Sequence, residues 1–225
     1  MTKPLSASDL KALEAQLYCP SGVLGVDIGK RLHQNNIGMT MGSVDAMQLS
    51  KGDCVLEIGH GNCGHLYALL SKAEHLNYQG LEISELMKTE AERINQELCA
   101  NYPVKFQLYD GLTLPYNGAI FHKIVSVNTI YFWQEPLGFL NQMYDILQPN
   151  GICVIAFALK DFMETLPFVG NYFRLYATAD FKVLVGQSKF DSVSITTHEE
   201  AVMNKANEPV KRTYAIAVLK KSMSQ

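Results

Sequence analysis

The stretch VLEIGHGNCGH, residues 55–65, carries the decision about the fold. An apolar run from Val55 to Ile58 passes directly into glycines at 59, 61 and 64, the G-x-G-x-x-G spacing. A strand feeding such a turn brings ligand atoms against bare backbone N–H groups. The spacing alone leaves the ligand open: a dinucleotide pyrophosphate, or a nucleoside carrying no phosphate. Glu57, two residues before the first glycine, narrows the choice. Beside a pyrophosphate in a partly desolvated cleft, its carboxylate would cost about 1 kcal/mol or more. It suits a ligand with a cationic amino group.

Outward from this loop the pattern alternates. Short apolar runs at 53–58, 77–83, 103–108, 121–127 and 151–157 read as strands, several of them apolar on both faces. Helical spacing lies between them. Ser84 is a candidate N-cap for a helix over 84–101, and a helix near 135–147 stops at Gln148-Pro149-Asn150-Gly151. Strands alternating with helices give a mainly parallel sheet covered on both sides. Towards the C-terminus, Phe190–Thr197 and Lys211–Leu219 read as two strands joined by a polar loop, hence a hairpin.

The first fifty residues read as a helix over Ser6–Tyr18, a glycine-rich connection at 21–29, and a second helix over Met39–Ser50. Residues 160–180, rich in aromatics, read as a helical insertion over the C-terminal edge of the sheet, where open α/β folds bind ligands. The expected boundaries are one domain over 1–225: a cap at 1–50, a core at 51–158, a lid at 159–180 and a hairpin region at 181–225.

Composition excludes several classes. The 225 residues, 48% hydrophobic, suffice for one full core, and a formal net charge of −3 with scattered basic pairs disfavours a nucleic-acid partner. Five cysteines without C-x-x-C read as reduced thiols and no metal site. The N-terminus lacks a signal-peptide core, and no apolar stretch spans a bilayer, so a cytoplasmic protein is expected.

Three further features fall in order along the strand ends. Glu82 closes the second strand, about twenty positions after the loop, where an acid accepts ribose hydroxyls. Tyr109-Asp110-Gly111 follows the third strand, placing an acid where it can meet an adenine amino group. Asn128 to Trp133 follows the fourth, delivering polar and aromatic groups to the mouth of the cleft.

VLEIGHGNCG, GLEIS, YDG, SVNTIYFW and LQPNG, in this order, resemble the successive motifs of class I S-adenosylmethionine-dependent methyltransferases acting on small molecules. The resemblance covers roughly residues 50–160. It implies a Rossmann-like α/β three-layer sandwich with a seven-stranded, mainly parallel sheet, a C-terminal antiparallel hairpin and helical N-terminal and lid segments. It implies S-adenosyl-L-methionine as cofactor, with Glu57, Gly59, His60 and Gly61 around the methionine part, and Glu82 on the ribose. Ile83 would pack beside the adenine, Asp110 and Gly111 would frame it, and Asn128 and Thr129 would lie beside the reactive centre. His60, Asn62 and His122 depart from the family pattern.

The implied reaction is in-line methyl transfer, releasing S-adenosyl-L-homocysteine. Thr129-Ile130-Tyr131 after Asn128 replaces the Pro-Pro-Tyr/Phe of enzymes that methylate base or glutamine amines, which favours a small organic acceptor. Its pocket is expected from residues 17–40, 131–133 and 162–176. His33 and Tyr131 are the candidate bases. The alternatives are an NAD(P)-dependent oxidoreductase and a non-catalytic S-adenosylmethionine-binding protein.

Overall fold

The computed structural model describes residues 6–203 and 209–223. Helix α1 (Ala7–Tyr18) starts on a reciprocal cap: the Asp9 amide donates to Ser6 Oγ at 3.2 Å, and the Ser6 amide to Asp9 Oδ2 at 2.9 Å. Helix α2 (Gly22–Ala46) then runs unbroken for 25 residues. The expected glycine-rich connection at 21–29 is therefore helix, and the reason is tertiary. A Cβ on Gly25 would sit 2.6 Å from Leu86, and one on Gly29 2.6 Å from Met87. The glycines give up helix propensity so that α2 can press on the helix carrying those side chains.

Strands β1 (Cys54–Ile58), β2 (Asn77–Glu82), β3 (Val104–Leu108), β4 (Phe121–Val127) and β5 (Leu147–Ala158) follow the expected apolar runs. Between them lie α3 (Leu66–Leu70), α4 (Glu85–Ile94), α5 (Gln96–Asn101) and α6 (Pro136–Ile146). The expected helix over 84–101 is broken in two at Asn95. The buried Asn95 side chain spends its Nδ2 protons on the carbonyls of Ala91, 2.9 Å, and Cys63, 3.0 Å, tying the helix to the glycine loop. At its other end Ser84 is the N-cap, accepting from the Met87 amide at 3.1 Å while its hydroxyl donates to Pro20 O.

After β5 comes α7 (Lys160–Met163), then α8 (Thr178–Gly186), β6 (Ser192–Met203) and β7 (Pro209–Lys220). Residues 164–177 are irregular, so the expected lid helix covers only four residues there. Pro167 lacks an amide donor, and the aromatic residues pack individually against α1 and the segment after β4 instead of along one helical face. The hairpin strands run longer than expected, taking in 198–203 and 209–210 of the polar loop; its residues 204–208 lie outside the described residues, as do 1–5 and 224–225.

The seven strands order as β3-β2-β1-β4-β5-β7-β6. The first five are parallel, while β7 is antiparallel to both β5 and β6. This is the Rossmann-like α/β sheet with its closing hairpin. The order reverses between β1 and β4, which opens a crevice at their C-terminal ends. Val55, Leu56, Ile58, Ile124 and Val125 are buried on both sides of that reversal, so the crevice stands on the most rigid part of the core.

Gly29→Ala would gain about 1 kcal/mol of helix propensity in an exposed helix. Here it forces the buried Met87 aside. The expected result is a net loss of about 1–3 kcal/mol in urea unfolding, relieved in a Met87→Ala background.

Candidate active site

The glycine loop turns on two left-handed glycines, Gly59 at φ +75° and Gly61 at φ +56°. Gly59 also has no room for a side chain, since the Thr129 methyl group occupies the place its Cβ would take. Glu82, at the end of β2, holds the turn from the other side. Its Oε2 accepts from the Gly61 amide at 2.9 Å, and its Oε1 from the amides of Ile83 and Ser84 at 2.8 and 3.1 Å.

His60, in the middle of the loop, serves the turn's shape. Its Nδ1 donates to the Gly61 carbonyl at 2.7 Å, and its ring lies 4.8 Å from that of Phe106 and directly over Gly80. Burial pushes its pKa down against the opposing Glu82 and Glu57 charges, and Nε2 is buried without a partner among the described residues. The ring is a neutral packing element.

Glu57 is 3% exposed, and its Oε2 is the meeting point of three elements. It accepts from Tyr78 Oη of β2 at 2.7 Å and from His65 Nε2, just before α3, at 2.9 Å. Burial pushes the Glu57 pKa up, but the His65 charge and hydrogen bond, with the Tyr78 hydroxyl, outweigh it and hold the carboxyl below its ordinary range. Burial likewise pushes His65 down, and Glu57 overcomes it, leaving the imidazole above its ordinary value. The amino-cation partner read from Glu57 thus has an internal competitor that no motif announces. The ligand atoms of Glu57, Cys63 and His65 lie within 4.8 Å of one another. Burial pushes the Cys63 thiol well up, and its Sγ faces Tyr78 Oη at 3.2 Å. Glu57, Tyr78, His65 and Cys63 thus form one buried hydrogen-bonded cluster.

Beyond β4, Asn128 adopts a left-handed φ of +58° that aims Oδ1 back at β5, where it accepts from the Ala158 amide at 3.2 Å. Tyr131 Oη donates to the same Oδ1 at 3.0 Å. Trp133 Nε1 donates to Thr129 Oγ1 at 3.2 Å, Thr129 meets Ser126 Oγ at 2.6 Å, and Ser126 donates to Ile58 O at 2.8 Å. This relay fastens the segment after β4 to the end of β1.

One cavity of about 750 Å³ joins these groups. Of the residues read from sequence, Glu57, Gly59, His60, Gly61, Glu82, Ile83, Gly111, Asn128 and Thr129 line it, together with His33 and Tyr131. Asp110 does not. It is exposed, and its Oδ1 accepts from the Leu112 and Thr113 amides at 2.8 and 2.7 Å, so its carboxylate builds the turn that presents Tyr109 and Gly111. The far walls come from the expected segments 17–40, 131–133 and 162–176. Val202, Val210 and Arg212 of the hairpin also line it and were not legible as site residues. An amino-acid nucleoside fits this lining: two positive-φ glycines where the backbone must come close, acids at the ends of β1 and β2, and a cavity large enough for a second molecule.

Residues 56–155 match the methyltransferase domain family. The chain is 25% identical over 143 residues to the uncharacterized methyltransferase YdaC of Bacillus subtilis (strain 168), covering 62% of this chain and 75% of that one. Its fold is similar to that of a SAM-dependent methyltransferase from Thermotoga maritima, with TM-score 0.62, 18% identity, and 88% and 96% of the two chains covered. It is also similar to phosphoethanolamine N-methyltransferase 2 of Haemonchus contortus with S-adenosyl-L-methionine, with TM-score 0.64, 14% identity and coverage of 83% and 53%. Motifs, domain match and fold together support a class I S-adenosylmethionine-dependent methyltransferase type. The same likenesses support S-adenosyl-L-methionine as the cofactor.

The Glu57–His65 pair fixes a pH window. The raised His65 pKa contributes stability that is present below the unfolded value, about 6.5, and lost as pH rises through the folded value. The lowered Glu57 pKa contributes stability present above the unfolded value, about 4.3, and lost as pH falls through the folded one. His65→Gln should therefore cost most between about pH 4.5 and 6.5, with a loss of about 3–5 kcal/mol for a broken buried pair. The cost should shrink in alkali. Melting curves of both proteins across pH measure it.

Proposed function

We propose that this protein transfers the methyl group of S-adenosyl-L-methionine to a small organic acceptor by in-line displacement. The observation that carries the reading is the continuity of one cavity, from the glycine loop and its two acids to the Asn128–Trp133 segment and on into apolar walls. When bound, the cofactor supplies a methyl group on a sulfonium, activated for displacement. What the chain must add is alignment and exclusion of water.

Gly59 and Gly61 let the backbone approach the methionine part. Glu57 presents its carboxylate to the amino group, with Oε2 already held by His65 and Tyr78. Glu82 binds the ribose, Ile83 and Gly111 face the adenine, and Asp110 acts through the turn it builds. Asn128 and Thr129 lie beside the reactive centre, each locked by its own hydrogen bonds. Of the two candidate bases, His33 is the better placed. It lines the cavity, and burial, with His65 stacked 6.2 Å away, pushes its pKa down and keeps it neutral. Tyr131 has its hydroxyl committed to Asn128 and Ala158, and burial pushes its pKa far up.

The single domain over 1–225 divides in this reading into cap, core, lid and hairpin at the boundaries drawn from sequence. No helix among the described residues is long and apolar enough to cross a membrane. The five free cysteines suit a reducing compartment, which supports a cytoplasmic location, and the charge balance supports no nucleic-acid partner.

Calorimetry with S-adenosylhomocysteine and NAD tests the reading. Expected is binding of the nucleoside thioether alone, weakened about 10–100-fold in Glu82→Ala by loss of charge-assisted hydrogen bonds. Binding of NAD without the thioether would return the oxidoreductase. Thioether binding without methyl transfer to any of a panel of phenols, thiols, acids and amines would favour the non-catalytic protein.

A further inference from the structure

The acceptor half of the cavity is built mostly by segments outside the matched core, and what they place there is specific. Leu17 of α1, Phe132 after β4, Met163, Leu166 and Phe173 of the lid, and Val202 of β6 form its walls. The lid is fastened to α1 over this chamber. The Tyr172 amide donates to Glu14 Oε1 at 2.7 Å, Tyr172 stacks on Tyr18 at 5.4 Å, and Phe173 packs on Phe132 at 4.9 Å.

The buried charged groups of these walls are already paired. Arg212 is 6% exposed and donates four hydrogen bonds: Nε and Nη2 to Glu200 Oε1 at 3.1 and 2.7 Å, Nη2 to Asn35 O at 2.7 Å, and Nη1 to Asn36 Oδ1 at 2.7 Å. Its charge is balanced by Glu200, and the pair serves to clamp α2 to the hairpin. Glu14 is spent on the lid. Arg31 also borders the cavity but is exposed to water. A charged acceptor entering this chamber would leave its hydration behind and meet, among the described residues, no buried unpaired opposite charge to replace it.

We infer that the acceptor is an uncharged, predominantly apolar molecule, whose hydrocarbon body fills the chamber beneath the lid and whose reacting group is its one polar function. This rests on the methyltransferase reading, and it sets the substrate class by wall chemistry: apolar area gives affinity, and the single polar group is left for the reactive centre.

The test is calorimetric titration of the full chain, saturated with S-adenosylhomocysteine, with 4-ethylphenol, 4-butylphenol and 4-hexylphenol, and with 4-hydroxybenzoate and tyramine as charged counterparts. Expected is roughly fourfold tighter binding per added methylene, the transfer free energy of one buried CH₂, with both charged compounds at least tenfold weaker than 4-butylphenol. Leu17→Glu and, separately, Val202→Glu should abolish the chain-length gradient while S-adenosylhomocysteine still binds within twofold of wild type. A flat series, no binding of the series, or a charged compound binding as tightly overturns the inference. So does a gradient that survives both substitutions. If wild type fails to bind S-adenosylhomocysteine, the donor reading fails instead, and the same series titrated without it still decides the character of the chamber.

Discussion

A carboxylate buried at the end of the central strand governs the rest of this molecule. Left alone in that position, Glu57 would be among the most costly groups in the protein. It is tolerable because Tyr78 and His65 converge on one of its oxygens. That convergence imposes geometry on three elements. The parallel register that sets Val55 against Tyr78 brings the phenol to the carboxylate. The loop must then coil tightly enough to return His65, which it does through positive φ at Gly59, Gly61 and Cys63. The Cys63 carbonyl accepts from the Leu66 amide at 3.2 Å and also from Asn95 Nδ2 at 3.0 Å, at the residue where α4 ends although periodicity alone would have continued it. A requirement at one oxygen thus reaches forty residues along the chain, as far as the break between α4 and α5.

The features legible in the sequence were those encoded by neighbours in the chain. Strands β1 to β5 follow from short apolar runs, the hairpin from two runs without a helix between them, and the donor loop from glycine spacing beside Glu57. What escaped was encoded across the sheet. Gly25 and Gly29 read locally as a connection, yet they are helical because α4 lies against them. The aromatics of 160–176 read as a helix, yet Tyr172 and Phe173 answer to Tyr18 and Phe132 on other elements. His65 carries no motif of its own. Only the folded chain shows that it competes for the carboxylate the glycine loop was read by.

His60 and Asp110 show how a residue can stand in the right place and do different work. Both sit at positions where the family's pattern concerns the donor. His60 turns its ring under the loop onto Gly80, and Asp110 turns its carboxylate to the amides of its own turn. Each shapes the backbone that borders the cavity. A side-chain substitution at either place would act on that backbone, and position in a motif does not distinguish this from contact with a ligand.

The two halves of the cavity therefore differ in how they are written into the chain. The donor half is made at strand ends, each contributing one or two residues in sequence order, so any chain that keeps the sheet can keep the half-site. The acceptor half is made from α1, α2, the lid and the hairpin, segments from both ends of the chain that meet only after folding. Clamps such as Arg212 with Asn36, or Glu14 with Tyr172, fix their approach. Chains at 14–18% identity share this fold, and a shared fold leaves the chemistry of such peripheral segments free to differ. The clamped periphery can therefore change without disturbing the buried carboxylate on which the core depends.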